Sequence, residues 1–139
     1  MKNPKFKSMV NLDWNNLPFG YIKTDFNVRC FFKNGQWSKP EISDSEYISI
    51  HIAATGLHYG QEAFEGMKAY RGRDGKVRLF RWDENAKRLL SSAHGIHMAP
   101  VPEELFREAV FTAVRLNEKF VPPYGSGASL YVRPVLYGS

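Results

Sequence analysis

The spacing of apolar residues changes twice along this chain, and that change restricts the fold more than any single residue does. Up to Arg81 apolar residues come in short runs or at alternate positions, broken by turn residues. Between Asp83 and Phe120 they recur at three- and four-residue intervals, and from Ser129 to Tyr137 the chain is again aromatic and β-branched. A period of two suits a strand and a period near 3.6 suits a helix. Strands, then helices, then a strand imply an α+β domain.

Turn chemistry refines this. Val28 to Phe32 runs into Lys33-Asn34-Gly35-Gln36 and Trp37, a strand entering an Asn-Gly hairpin. Ile48, Ile50 and Ile52 alternate with Ser49 and His51, the pattern of a half-buried strand. Met67–Arg71 and Lys76–Arg81 flank Gly72-Arg73-Asp74-Gly75 as a second hairpin. Asp83 is placed to cap a first helix with the stripe Ala86, Leu89, Leu90 and Ala93, closed by Gly95 and Pro100. A second helix is expected from Pro102, with Glu103 and Glu104 in the turn where the helix dipole favours anions. Its buried face is Phe106, Ala109, Val110, Ala113, Val114 and Phe120, and Pro122-Pro123 ends it. Ser129–Tyr137 reads as one final strand, so apolar that more polypeptide is expected beyond it.

The 139 residues fit one domain, able to bury roughly 68–70% of its unfolded surface without disulfides or metal. Cys30 stands alone and reads as a small buried hydrophobe, so nothing points to an oxidising compartment. No apolar run approaches the roughly 18 residues of a membrane span, and the basic start lacks a signal-peptide apolar region. A cytoplasmic protein is expected. The net charge of +5 permits an anionic ligand or nucleic acid, but basic residues mostly alternate with acids, and Lys2, Lys5 and Lys7 alone cluster.

Generic motifs fail. Gly125-Ser126-Gly127 lacks a third glycine and precedes a strand, where a dinucleotide loop follows one. His94 and His97 have no cysteine or carboxylate at metal-ligand spacing, and no metal site is expected.

Longer blocks are more specific. Gly56-Leu57-His58-Tyr59-Gly60-Gln61-Glu62-Ala63-Phe64-Glu65-Gly66-Met67-Lys68-Ala69-Tyr70 closely resembles a motif of the branched-chain amino acid aminotransferases, pyridoxal-phosphate enzymes of fold type IV. Leu17-Pro18-Phe19-Gly20, Val77–Arg81, Arg88–Ala93 and Ser129–Pro134 continue the resemblance in order, over nearly the whole chain. It implies the small amino-terminal domain of that fold, a mainly antiparallel sheet with two main helices. It also implies pyridoxal 5'-phosphate as cofactor, amino acid and 2-oxo acid substrates, and a homodimer, with no nucleic-acid or membrane partner.

By the same resemblance, Arg88 matches the arginine that contacts the cofactor phosphate, a role suited to a permanently charged fork. On a helical wheel Arg88 lies about 150° from the apolar stripe, which equally suits a solvated arginine. Tyr131 and Arg133, two apart in a strand, leave the same face and match residues lining the substrate site. Together they suit a carboxylate; otherwise they mark an edge strand, which Pro134 favours. Phe19, Tyr59 and Phe64 match residues around the substrate pocket, the residue matching Tyr59 reaching the neighbouring subunit's site. Core packing is the alternative for both phenylalanines.

No lysine here stands in a block like that of the family's Schiff-base lysine, which lies in the carboxyl-terminal domain. Lys68 is the lysine expected to be half-buried, with no catalytic role. Residues 1–139 are therefore expected to be one domain of a longer branched-chain aminotransferase, inactive alone. The competing readings are a D-amino acid aminotransferase, an aminodeoxychorismate lyase, a basic nucleic-acid-binding module and an oligomerisation domain.

Overall fold

The computed structural model describes residues 9–139, so the Lys2, Lys5 and Lys7 cluster lies outside the described residues. Near the amino terminus β1 (Asn27–Arg29), β2 (Phe32–Lys33), β3 (Gln36–Trp37) and β4 (Glu41–Ser43) form two antiparallel pairs, β1 with β4 and, between them, β2 with β3. The second pair is the expected hairpin: Asn34 and Gly35 both have positive φ, 51° and 79°, the conformation that asparagine and glycine tolerate. A short helix α1 (Thr55–Tyr59) leads through Gly60 into β5 (Glu62–Phe64), β6 (Met67–Arg71) and β7 (Val77–Leu79). Two long helices follow, α2 (Trp82–Gly95) and α3 (Glu103–Leu116), then a 3₁₀ turn at Glu118–Phe120, β8 (Leu130–Val132) and β9 (Val135–Tyr137).

Strand β6 is the centre of an antiparallel sheet in the order β7-β6-β8, and β9 pairs with β5. Alternation along β6 turns Met67 and Ala69 toward the helices and leaves Lys68 and Tyr70 exposed. Met67 joins Ala86, Leu89, Ala93, Phe106, Val110 and Leu136 in the core. Ala69 and Ala93 have no exposed surface, so small side chains stand where sheet and helix come closest. The α+β class, the antiparallel sheet and the two main helices are as the sequence implies.

Several details differ. Ile48, Ile50 and Ile52 lie in no strand; Ile48 and Ile52 are exposed, and nothing among the described residues pairs with them. The carbonyls of Ser45 and Tyr47 instead accept from the Arg29 guanidinium. Alternation marks a strand only where a partner and a face to bury exist. Helix α2 starts one residue before Asp83, after Arg81 in the left-handed region (φ 52°), and no side chain caps it. Asp83 thus serves as a first-turn anion. Leu90 is partly exposed, and Asn85 replaces it in the buried face.

Pro102 precedes α3 rather than opening it, and α3 stops at Leu116, leaving Phe120 half-buried on the 3₁₀ turn. The final strand is divided at Arg133-Pro134, where proline offers no amide hydrogen: β8 pairs with β6 and β9 with β5. Cys30 is half-buried rather than buried, and burial raises its thiol pKa. Among the described residues no helix is long and apolar enough to cross a membrane.

Asn117, at the end of α3, is a buried clamp. Its Oδ1 accepts from the amides of Asp25 and Phe26, and its Nδ2 donates to the carbonyls of Phe26 and Ala113. Asn117→Ala strands these groups and is expected to lower stability by about 2–3 kcal/mol, read as a shift of the urea midpoint with unchanged slope.

Candidate functional site

The exposed face of β6 and the outer flank of α2 meet in a cavity of about 370 Å³. Register places Lys68 opposite Tyr131 and Tyr70 opposite Arg78, so these side chains project from one sheet face. Gly66, Lys68, Tyr70, Arg81, Arg88 and Tyr131 line the cavity. Gly66 has a steric reason: a Cβ there would overlap the Tyr131 hydroxyl and stand 3.1 Å from its ring carbon Cζ. The absence of a side chain lets Tyr131 lie down against β6.

Arg133, two residues along, donates from Nη2 to the Tyr131 hydroxyl at 3.2 Å. Its guanidinium also stands 4.8 Å from the Phe64 ring centre and 5.1 Å from that of Tyr131. A cation flanked by aromatic faces is attracted to both, although Arg133 itself stays exposed. Phe64, Tyr131 and Arg133 are thus one cluster, and Tyr131 carries it to the cavity rim.

Arg88 leaves the opposite wall. Its Nε donates to Oε1 of Glu65 at 3.1 Å and its Nη2 to Oε2 at 2.5 Å, a two-point grip. Glu65 is only 7% exposed, and its Oε2 also accepts from Asn85 Nδ2 at 2.8 Å. Asn85 donates to the Gly66 carbonyl as well, and the Glu65 amide donates to the Pro134 carbonyl at 3.0 Å. Burial pushes the Glu65 carboxyl pKa up and is the largest single influence. The hydrogen bonds from Arg88 and Asn85 and the Arg88 charge together outweigh it, holding the carboxyl below its ordinary value. The hydrogen bond to Glu65, and then its charge, raise the Arg88 pKa.

The structure therefore places Arg88 and Tyr131 on one cavity, with Arg133 bonded to Tyr131 and stacked on Phe64 beside it, and leaves Phe19 and Tyr59 apart. Phe19 is fully exposed, Tyr59 is 83% exposed with the His58 ring as its aromatic neighbour, and neither lines the cavity. Lys68, expected to be half-buried, is exposed on the sheet face. Glu65 escapes a motif-by-motif reading. Its signal is the alternation Ala63, Glu65, Met67, Ala69, which puts a carboxylate on the buried face, where it needs a cation.

Chemically, the cavity presents Lys68 and Arg81 against Glu84, and Arg88 balanced by Glu65 but with donors to spare. Such a donor set suits an anionic group such as a phosphate at the Arg88 wall.

No protein-family model matches the chain. It is 47% identical over 130 residues to a branched-chain-amino-acid aminotransferase of Haemophilus influenzae, covering 94% of this chain and 38% of that protein. A second enzyme of the same name, from Helicobacter pylori, is 48% identical over 131 residues with the same coverage. The chain thus spans 38% of the length of these relatives. Its fold superposes on a solved branched-chain amino acid aminotransferase from T.th., complexed with N-(5'-phosphopyridoxyl)-L-glutamate, with a TM-score of 0.61 and 28% identity, over 84% of this chain and 34% of that one.

The Glu65 carboxyl is depressed in the folded state, so its pairing contributes stability above the ordinary glutamate range and loses it as pH falls through the lower folded value. Melting temperatures of the wild type and Glu65→Gln are expected to converge as pH drops from about 6 to about 3. Parallel curves would mean that Glu65 is not the titrating group.

Proposed function

We propose that this chain, a relative of the branched-chain-amino-acid aminotransferases in sequence and in fold, is the small amino-terminal domain of such an enzyme and forms one side of its cofactor and substrate cleft. The reaction of the whole protein is reversible transfer of an amino group between leucine, isoleucine or valine and 2-oxoglutarate, with pyridoxal 5'-phosphate. One observation carries the reading: Arg88 and Tyr131, far apart in sequence and on different elements, line the same cavity, and Arg133 is hydrogen-bonded to Tyr131.

When bound, pyridoxal phosphate supplies the electron sink that acidifies the substrate Cα–H bond. The residues present fit its anionic end. Arg88 has no hydrogen-bond partner recorded at Nη1 among the described residues, and Lys68 and Arg81 add positive charge beside it. Arg133, steadied by the Tyr131 hydroxyl, binds a substrate carboxylate, and Phe64 offers an apolar wall to a branched side chain. In this reading Phe19 and Tyr59 complete the pocket from outside the domain's own cavity, Tyr59 in the other subunit of a homodimer.

The chain's lysines have no Schiff-base role in this proposal. Borohydride reduction after mixing with pyridoxal phosphate is expected to label one lysine of the whole protein stoichiometrically, outside residues 1–139, and no single lysine of this chain. Stoichiometric labelling within the chain, with transaminase activity, contradicts the assignment. Turnover of D-amino acid donors in place of leucine, isoleucine and valine would move the protein to another fold type IV activity. Arg133→Ala is expected to raise KM for 2-oxoglutarate roughly tenfold to a hundredfold in steady-state assays, as loss of a charged hydrogen bond does.

A further inference from the structure

A guanidinium offers its donors along three edges, and Glu65 occupies one. With Nε and Nη2 fixed on the two carboxylate oxygens, both the plane and the rotation of the group are set. The donors left over, Nη1 and the outer hydrogen of Nη2, form the end edge, which matches two oxygens of a phosphate. The Arg88 side chain is 67% exposed, so without this grip it would sample several rotamers. Glu65 cannot follow such movement: it is buried, bound by Asn85, and tied through its amide to Pro134.

We infer that Glu65 is a positioning residue: by gripping one edge of Arg88 it aims the adjoining end edge into the cavity as a two-point receptor for the cofactor phosphate, and Asn85 holds Glu65 in turn. This rests on the proposed cofactor reading. A purely electrostatic view predicts the opposite sign, because a carboxylate this close to Arg88 opposes anion binding. Neutralising Glu65 would then tighten the complex. Orientation and field therefore make opposed demands, and one substitution separates them.

The test is absorbance titration of the whole protein with pyridoxal phosphate and, separately, with pyridoxal. The ratio of the two dissociation constants isolates the contribution of the phosphate and is independent of catalysis. Glu65→Gln is expected to shrink that ratio about tenfold, the size of effect that loss of an orienting partner has at metal sites, while pyridoxal itself binds as before. An unchanged or larger ratio overturns the inference. Should Glu65→Gln fail to fold, Asn85→Ala, which loosens Glu65 without touching Arg88, decides in the same way: a smaller ratio supports the role and an unchanged one overturns it. Arg88→Ala is the separate control. If it leaves the ratio at the wild-type value, the cofactor reading itself is wrong, whatever Glu65 does.

Discussion

A carboxylate drawn out of water must be matched by a cation or it will not stay ionised, and Glu65 is such a carboxylate. Its partner sits on a helix whose rotation is already set, because Ala86, Leu89 and Ala93 sink into the core. That leaves Arg88 at the seam between helix and sheet, and Asn85, three residues earlier, on the same flank. The hydrophobic stripe and the ion pair are thus mutually consistent constraints. Removing one partner leaves the other uncompensated, which is why such pairs are costly to break even where forming them adds little net stability.

The two sides of β6 divide the labour. The inner side, Met67 and Ala69, is small and apolar and lets α2 dock closely. On the outer side Lys68 meets Tyr131 across one register and Tyr70 meets Arg78 across the other. Charge that looks scattered along the sequence becomes local here, since Lys68, Arg81 and Arg88 come from a strand, a turn and a helix to one cavity. The overall +5 is a weak statement about partners, whereas this convergence is a specific one.

What was legible in the sequence follows from how local the responsible physics is. The Asn34-Gly35 and Gly72–Gly75 turns and both long helices depend on contacts within a few residues, and the sequence places them well. The Ile48–Ile52 alternation misleads because strand pairing is non-local and no partner comes. Arg81 in the left-handed region is not foreseeable, since arginine has no intrinsic liking for it; the short path from β7 into α2 imposes it. In the candidate site, resemblance alone identifies Arg88, Tyr131, Arg133 and Phe64, but not Glu65, whose part emerges from burial and pairing. Phe19 and Tyr59 are exposed and line no part of the cavity, so this chain's own packing gives them no part in the site.

The bond from the Glu65 amide to the Pro134 carbonyl has a metric consequence. Arg88 hangs from Glu65 by side chains, and Arg133 is the residue next to Pro134, so the two guanidinium groups are referenced to one backbone junction. Their backbone anchor points are thereby held at one spacing, while the Arg133 guanidinium itself stays exposed. A shift of this junction would therefore carry both arginines along rather than slide one past the other.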